Sequence, residues 1–111
     1  MTFRSRQLLD LCHDTPCMAD FEHQCGACII PAHSNQQMFG RGHAFKADDC
    51  FVAAVCPDAH DYIDGRKGGW AKDEKHAAWL RAYVKTIRWQ WENGKLEVVS
   101  DLQHAEVRQD A

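Results

Sequence analysis

Apolar residues fall in patterned runs separated by polar, cysteine-bearing or glycine-bearing stretches. Phe3, Leu8, Leu11 and Cys12 are spaced for a short amphipathic helix, which Asp14-Thr15-Pro16 breaks. The pattern then lapses: Cys17, Cys25 and Cys28 stand among polar residues, which predicts an irregular loop. Cys28-Ile29-Ile30-Pro31-Ala32 has the character of a short buried strand that Pro31 confines to an edge or an end, with His33 directly after it. Ser34 to Lys46 is a polar loop with flexible points at Gly40 and Gly42. Phe51 to Cys56, FVAAVC, has strand length and a β-branched bias. Pro57 suits the first turn of a helix that ends near Gly65. After a Lys67-Gly68-Gly69 joint, Asp73 to Trp91 reads as a long helix. Ala77, Leu80, Val84, Ile87 and Trp91 recur along it at alternating steps of three and four, so they are its expected buried stripe. Asn93-Gly94 stops it. Lys95 to Val99 is a candidate last strand, and Ser100 to Ala111 has the polarity of a frayed tail.

These elements predict a small α+β domain built on a strand, loop, strand, helix unit. The chain of 111 residues fits one domain over 1–111, with its core at 17–65 and a packing helix at 73–92. A domain of this size buries roughly two-thirds of its unfolded surface. The opening MTFRSRQLLDLCHD lacks an apolar run long enough for a signal-peptide core or a membrane span, so a cytoplasmic protein with no membrane partner is expected. In that compartment the six cysteines belong to a metal site or a reduced core rather than to disulfides. The net charge of −3 counts mildly against nucleic acid. Arg41, Lys46, Arg66 and Lys67 nevertheless flank the central stretch, and a bound divalent ion would add charge there.

Cys25-Gly-Ala-Cys28 fits half a zinc site better than a redox pair, because an apolar strand follows it where a redox pair would open a helix. A second Cys-x-x-Cys is missing, since Ala59 stands three residues after Cys56. Cys17 can complete a four-thiolate set with Cys25, Cys28 and Cys56. Other sets use Asp58 or His60, or omit Cys28. Cys12 and Cys50 read as small buried hydrophobes. His60 and Asp64 stand one helical turn apart and can reach one cation, although a helix-capping acidic cluster beside a surface histidine has the same spacing. His33, at a strand end, is a satisfied core histidine or an acid–base group. His13, His23, His76 and His104 read as surface residues, while His43 lies in the loop within reach of a ligand. The tryptophans, Trp70, Trp79, Trp89 and Trp91, are expected to pack rather than stack on bases. Trp79 and Tyr83 flank the stripe, which makes a homodimer contact through the long helix a further expectation.

Assembled, these residues resemble the small phage-associated nucleases of the HNH, or ββα-metal, superfamily. The resemblance is carried by Pro16-Cys17, Ala32-His33-Ser34-Asn35, Gly40-Arg41-Gly42, Lys46-Ala47-x-Asp49, Ala53-Ala54-Val55-Cys56 and His60-x-x-Ile63-Asp64-x-x-Lys67. It implies an endonuclease that hydrolyses phosphodiester bonds in DNA, in phage recombination or DNA processing, using Mg²⁺ or Mn²⁺ with a structural Zn²⁺. His33 then corresponds to the general base, Asp49 to a residue that orients it or supports the loop rather than binding the ion, and His60 and Asp64 to ligands of the catalytic cation. Asn35, Arg41 and Lys46 would lie near the substrate phosphate. Two positions depart from the family pattern: Ala32 stands where many relatives have a further metal ligand, and Ala59 where many have the last zinc cysteine. The alternative is a non-catalytic, zinc-stabilised DNA-binding or accessory module.

Overall fold

The computed structural model describes residues 3–26, 28–35 and 47–98. The chain order is α1 (Arg6–His13), β1 (Ile30–His33), β2 (Val52–Val55), α2 (Pro57–Asp64) and α3 (Lys72–Glu92). The α+β class and the strand, strand, helix order match the sequence pattern. Residues 17–28 contain no helix or strand among those described. Lys95 to Val98 form no strand either, and the Ser100–Ala111 tail lies outside the described residues.

Each helix start has a local cause. Ser5 caps α1 by accepting the Leu8 N–H at 3.3 Å. Pro57 occupies the first turn of α2, where its missing N–H is not needed, and Gly65 ends that helix in the left-handed region at φ 85°. The Glu74 carboxylate accepts the Ala71 N–H at 3.1 Å at the head of α3.

β1 and β2 form an antiparallel pair in the register Ile30↔Val55, Pro31↔Ala54, Ala32↔Ala53 and His33↔Val52. A two-stranded ribbon needs cover to persist, and α3 supplies much of it. The Ala54 N–H donates to Thr86 Oγ1 at 3.0 Å, the Ala54 carbonyl accepts the Met18 N–H at 2.9 Å, and the Trp79 indole N–H donates to the Ala32 carbonyl at 2.8 Å. Gln90 reaches the Thr15 hydroxyl at 3.1 Å and so ties α3 to the end of α1.

The face that α3 buries is Ala78, Trp79, Ala82, Thr86 and Gln90. This corrects the sequence stripe: Leu80, Val84 and Trp91 are 47%, 56% and 51% exposed. Small and hydrogen-bonding side chains take the inner face because the helix approaches the ribbon closely and satisfies its backbone. The core is small-grained. Ala32, Ala53, Ala59, Ala78 and Ala82 are packed with Val55, Cys56, Ile63 and Trp79.

Candidate metal centre and histidine sites

The irregular loop before β1 folds back on the start of α2. Gln24 N–H donates to Asp58 at 2.8 Å, and Lys67 holds the same carboxylate from the other side. Asp58 is therefore a loop anchor; Lys67, then Gln24, hold its carboxyl below the usual range. Phe21 packs edge-on against Trp70 at 4.8 Å and against Tyr62 at 5.6 Å, which fixes the loop onto the surface of α2.

This folding brings together the side chains of Cys17, His23, Cys25 and Cys56, whose ligand atoms all lie within 4.8 Å of one another. The four could hold a metal such as zinc. Around a tetrahedral zinc with Zn–S near about 2.3 Å, ligand atoms stand roughly 3.5–3.8 Å apart; Cys17 Sγ and His23 Nε2 are 3.6 Å apart. His23 Nδ1 faces the Phe21 carbonyl at 2.7 Å, so Nδ1 carries the proton and Nε2 offers its lone pair to the cluster. The Cys56 N–H donates to Cys17 Sγ at 3.3 Å.

Burial alone would raise the Cys56 thiol, but N–H groups of Ala59 and Gly26, with Cys17 and His23 beside it, bring it down to about 7. Desolvation, followed by the neighbouring Cys17 and Cys56 sulfurs, pushes Cys25 up to about 11. Three sulfurs this close repel one another as thiolates, so the fully deprotonated set is stable around a cation. The donor set thus fits zinc.

The membership corrects the sequence reading at one ligand. Cys28 is exposed and stands outside the group, and His23, which had read as a surface residue, takes the fourth place. The signal was present: His23 lies between Cys17 and Cys25 in the unpatterned loop, but a Cys-x-x-Cys pair drew attention to Cys28. Ala59 needs no replacement ligand, and its N–H serves the Cys56 sulfur instead. Cys12 is fully buried, and burial raises its thiol to about 11.

The second site lies at the end of β1. His33 Nε2 is 2.8 Å from Asp49 Oδ1. The chain's opening segment completes the arrangement: Ser5 N–H donates to Asp49 Oδ2 at 2.7 Å, and Arg4 donates to Oδ1 at 3.1 Å. The Phe3 N–H donates to Asp48 Oδ1 at 3.0 Å, and the Phe3 carbonyl accepts the Asp49 N–H at 3.0 Å. Burial would raise the Asp49 carboxyl, but His33, Ser5 and Arg4 together hold it below the usual carboxylate range. A carboxylate only accepts hydrogen bonds, so neutral His33 carries its proton on Nε2 and keeps Nδ1 as an acceptor. Sequence reasoning gave Asp49 the task of orienting His33 but missed Arg4 and Ser5, which lie 45 and 44 positions away.

On α2, His60 Nε2 and Asp64 Oδ2 are 3.3 Å apart. Two adjacent ligands of an octahedral ion with bonds of about 2.1 Å would stand roughly 3 Å apart, so the pair has the right bite for one cation. Asn35 Nδ2 donates to Asp64 Oδ1 at 3.4 Å, which links the chain just beyond β1 to the C-terminal turn of α2. Arg41 and Lys46 lie outside the described residues. Ala32 is fully buried and offers no ligand; its carbonyl serves Trp79.

Comparisons with protein-family models, curated proteins and solved structures returned no match.

Proposed function

We propose that the chain is a divalent-metal-dependent endonuclease of the HNH type that hydrolyses phosphodiester bonds in DNA, with a structural zinc held by Cys17, His23, Cys25 and Cys56. The observation that supports this most is the Asn35–Asp64 contact at 3.4 Å. It links the residue two positions beyond His33 to the helix face bearing His60 and Asp64, which supports a reading in which a base and a cation-binding pair serve one surface.

Each residue has a task in that reading. His33 Nδ1 accepts a proton from the attacking water, and buried Asp49 stabilises the imidazolium that results. Arg4 and Ser5 keep Asp49 ionised and fixed, so that the imidazole is presented in one orientation. His60 and Asp64 would hold Mg²⁺ or Mn²⁺, which when bound supplies Lewis-acid stabilisation of charge on the scissile phosphate. Asn35 orients the Asp64 carboxylate.

The rival reading, a zinc-stabilised DNA-binding or accessory module, draws on a different observation. Among the described residues His60 and Asp64 belong to no group of three or more potential ligands. Supercoiled plasmid separates the two. Wild type is expected to nick it with Mg²⁺ or Mn²⁺ and to stop in EDTA, and His33→Ala is expected to lose nicking while still binding duplex. Metal-dependent nicking that persists unchanged in His33→Ala removes the assigned base. Gel-shift binding without cleavage by wild type selects the accessory module.

A further inference from the structure

Beside the Asn35–Asp64 contact, an open cleft of about 520 Å³ runs between the end of α2 and the first turns of α3. Arg66, Lys72, Lys75 and His76 line it, facing Asn35 and Asp64. Lys72, Lys75 and His76 follow the i, i+3, i+4 spacing that puts them on one helix face. Lys75 is folded inward: a Cβ on Gly65 would stand 2.9 Å from its Nζ, so the ammonium lies against the glycine that ends α2. Lys72 and Lys75 form no ion pair with any described carboxylate, whereas Arg66 is engaged by Asp61 at 3.3 Å and Asp64 at 3.8 Å. Lys72 and Lys75 are therefore the two cations of the cleft without a described carboxylate partner, beside an Arg66 that Asp61 and Asp64 already engage.

Helix stability does not account for this arrangement. Cations in a first turn are opposed by the helix dipole, and the Lys75 ammonium lies against Gly65 rather than against a described carboxylate. An acidic protein that engages a polyanion also needs such a local reversal of sign.

We propose that this cleft binds a phosphodiester of the DNA backbone next to the one cleaved, with Lys72 and Lys75 as its principal contacts. The proposal rests on the nuclease reading and adds the groups that position the strand across the His60–Asp64 pair. A duplex laid along the cleft would place one phosphate at the lysines and a neighbouring phosphate at the pair.

Binding of a fluorescein-labelled DNA duplex across a salt series, without added Mg²⁺ or Mn²⁺ so that no cleavage intervenes and the zinc centre is left intact, tests it. Lys72→Gln/Lys75→Gln is expected to weaken binding about tenfold at moderate salt and to lower the slope of log affinity against log salt by about 1 to 2. Zinc content and melting temperature should match wild type. His33→Ala should keep the wild-type slope. An unchanged slope in the double variant, with wild type binding and cutting, overturns the cleft alone. Wild type that binds through these lysines yet leaves plasmid intact keeps the cleft and overturns cleavage. Wild type that binds no duplex overturns both.

Discussion

Asp49 shows how one buried carboxylate can join distant parts of the chain. It takes His33 at 2.8 Å, Arg4 at 3.1 Å and the Ser5 N–H at 2.7 Å, and it is only 3% exposed. Asp49→Asn keeps the shape but replaces an acceptor with an amide donor, leaving a buried mismatch that costs about 1–3 kcal/mol. The pH dependence follows from the depressed carboxyl. Its stabilisation is present above the ordinary aspartate value of about 4 and is lost as pH falls through the lower folded-state value. Urea denaturation should therefore find the variant less stable at pH 7, with the gap to wild type closing as the pH drops from about 4 towards 2. A gap that holds constant to low pH contradicts the charged role of Asp49. At this scale the sequence was legible where the chemistry sat inside a motif, as at His33 and Asp49. It was silent on Arg4 and Ser5, because nothing local tells an N-terminal arginine which carboxylate it will meet.

Among the elements, α3 carries the clearest lesson. Its length was legible from composition and the Asn93-Gly94 stop, yet its register was not. The apolar stripe at Ala77, Leu80, Val84, Ile87 and Trp91 reads as the core face, but the ribbon is met by Ala78, Ala82, Thr86 and Gln90. Periodicity detects large apolar side chains, and this interface uses small ones for close approach and hydroxyl or amide groups for hydrogen bonds. Thr86 accepts the Ala54 N–H at 3.0 Å and donates to the Ala82 carbonyl at 2.7 Å, so its hydroxyl bridges strand and helix. Two substitutions separate the registers in urea denaturation. Ala82→Leu should lose about 1–3 kcal/mol by overpacking, while Leu80→Ser should stay within about 0.5 kcal/mol of wild type. The opposite order would restore the sequence stripe. Leu80 and Val84 instead lie on the outward face of the helix. The shorter elements followed their signals more closely, because Pro57, Gly65 and the FVAAVC run act through local backbone preferences.

At the scale of the whole molecule, most of the buried apolar side chains among the described residues are alanines, with Val52, Val55, Ile63 and Trp79 the large ones. Alanine burial removes little area from water, and a domain of this size has little surplus stability. A metal held by Cys17, His23, Cys25 and Cys56 would fasten the unpatterned loop onto the start of α2 and supply what such a core lacks. It would also steady the helix that carries His60 and Asp64, so that stability and the proposed chemistry would share one anchor. No helix among the described residues is long and apolar enough to cross a membrane. Three of the four members of the centre were legible as cysteines in an irregular loop and at a helix start. The fourth was hidden because a lone histidine carries no pattern until the chain folds back. Zinc content of freshly purified wild type, His23→Ala and Cys28→Ser, measured by elemental analysis, tests this account most directly. About one zinc per chain is predicted for wild type and Cys28→Ser, with His23→Ala losing most of its metal. Full zinc in His23→Ala together with its loss in Cys28→Ser would contradict the centre as drawn.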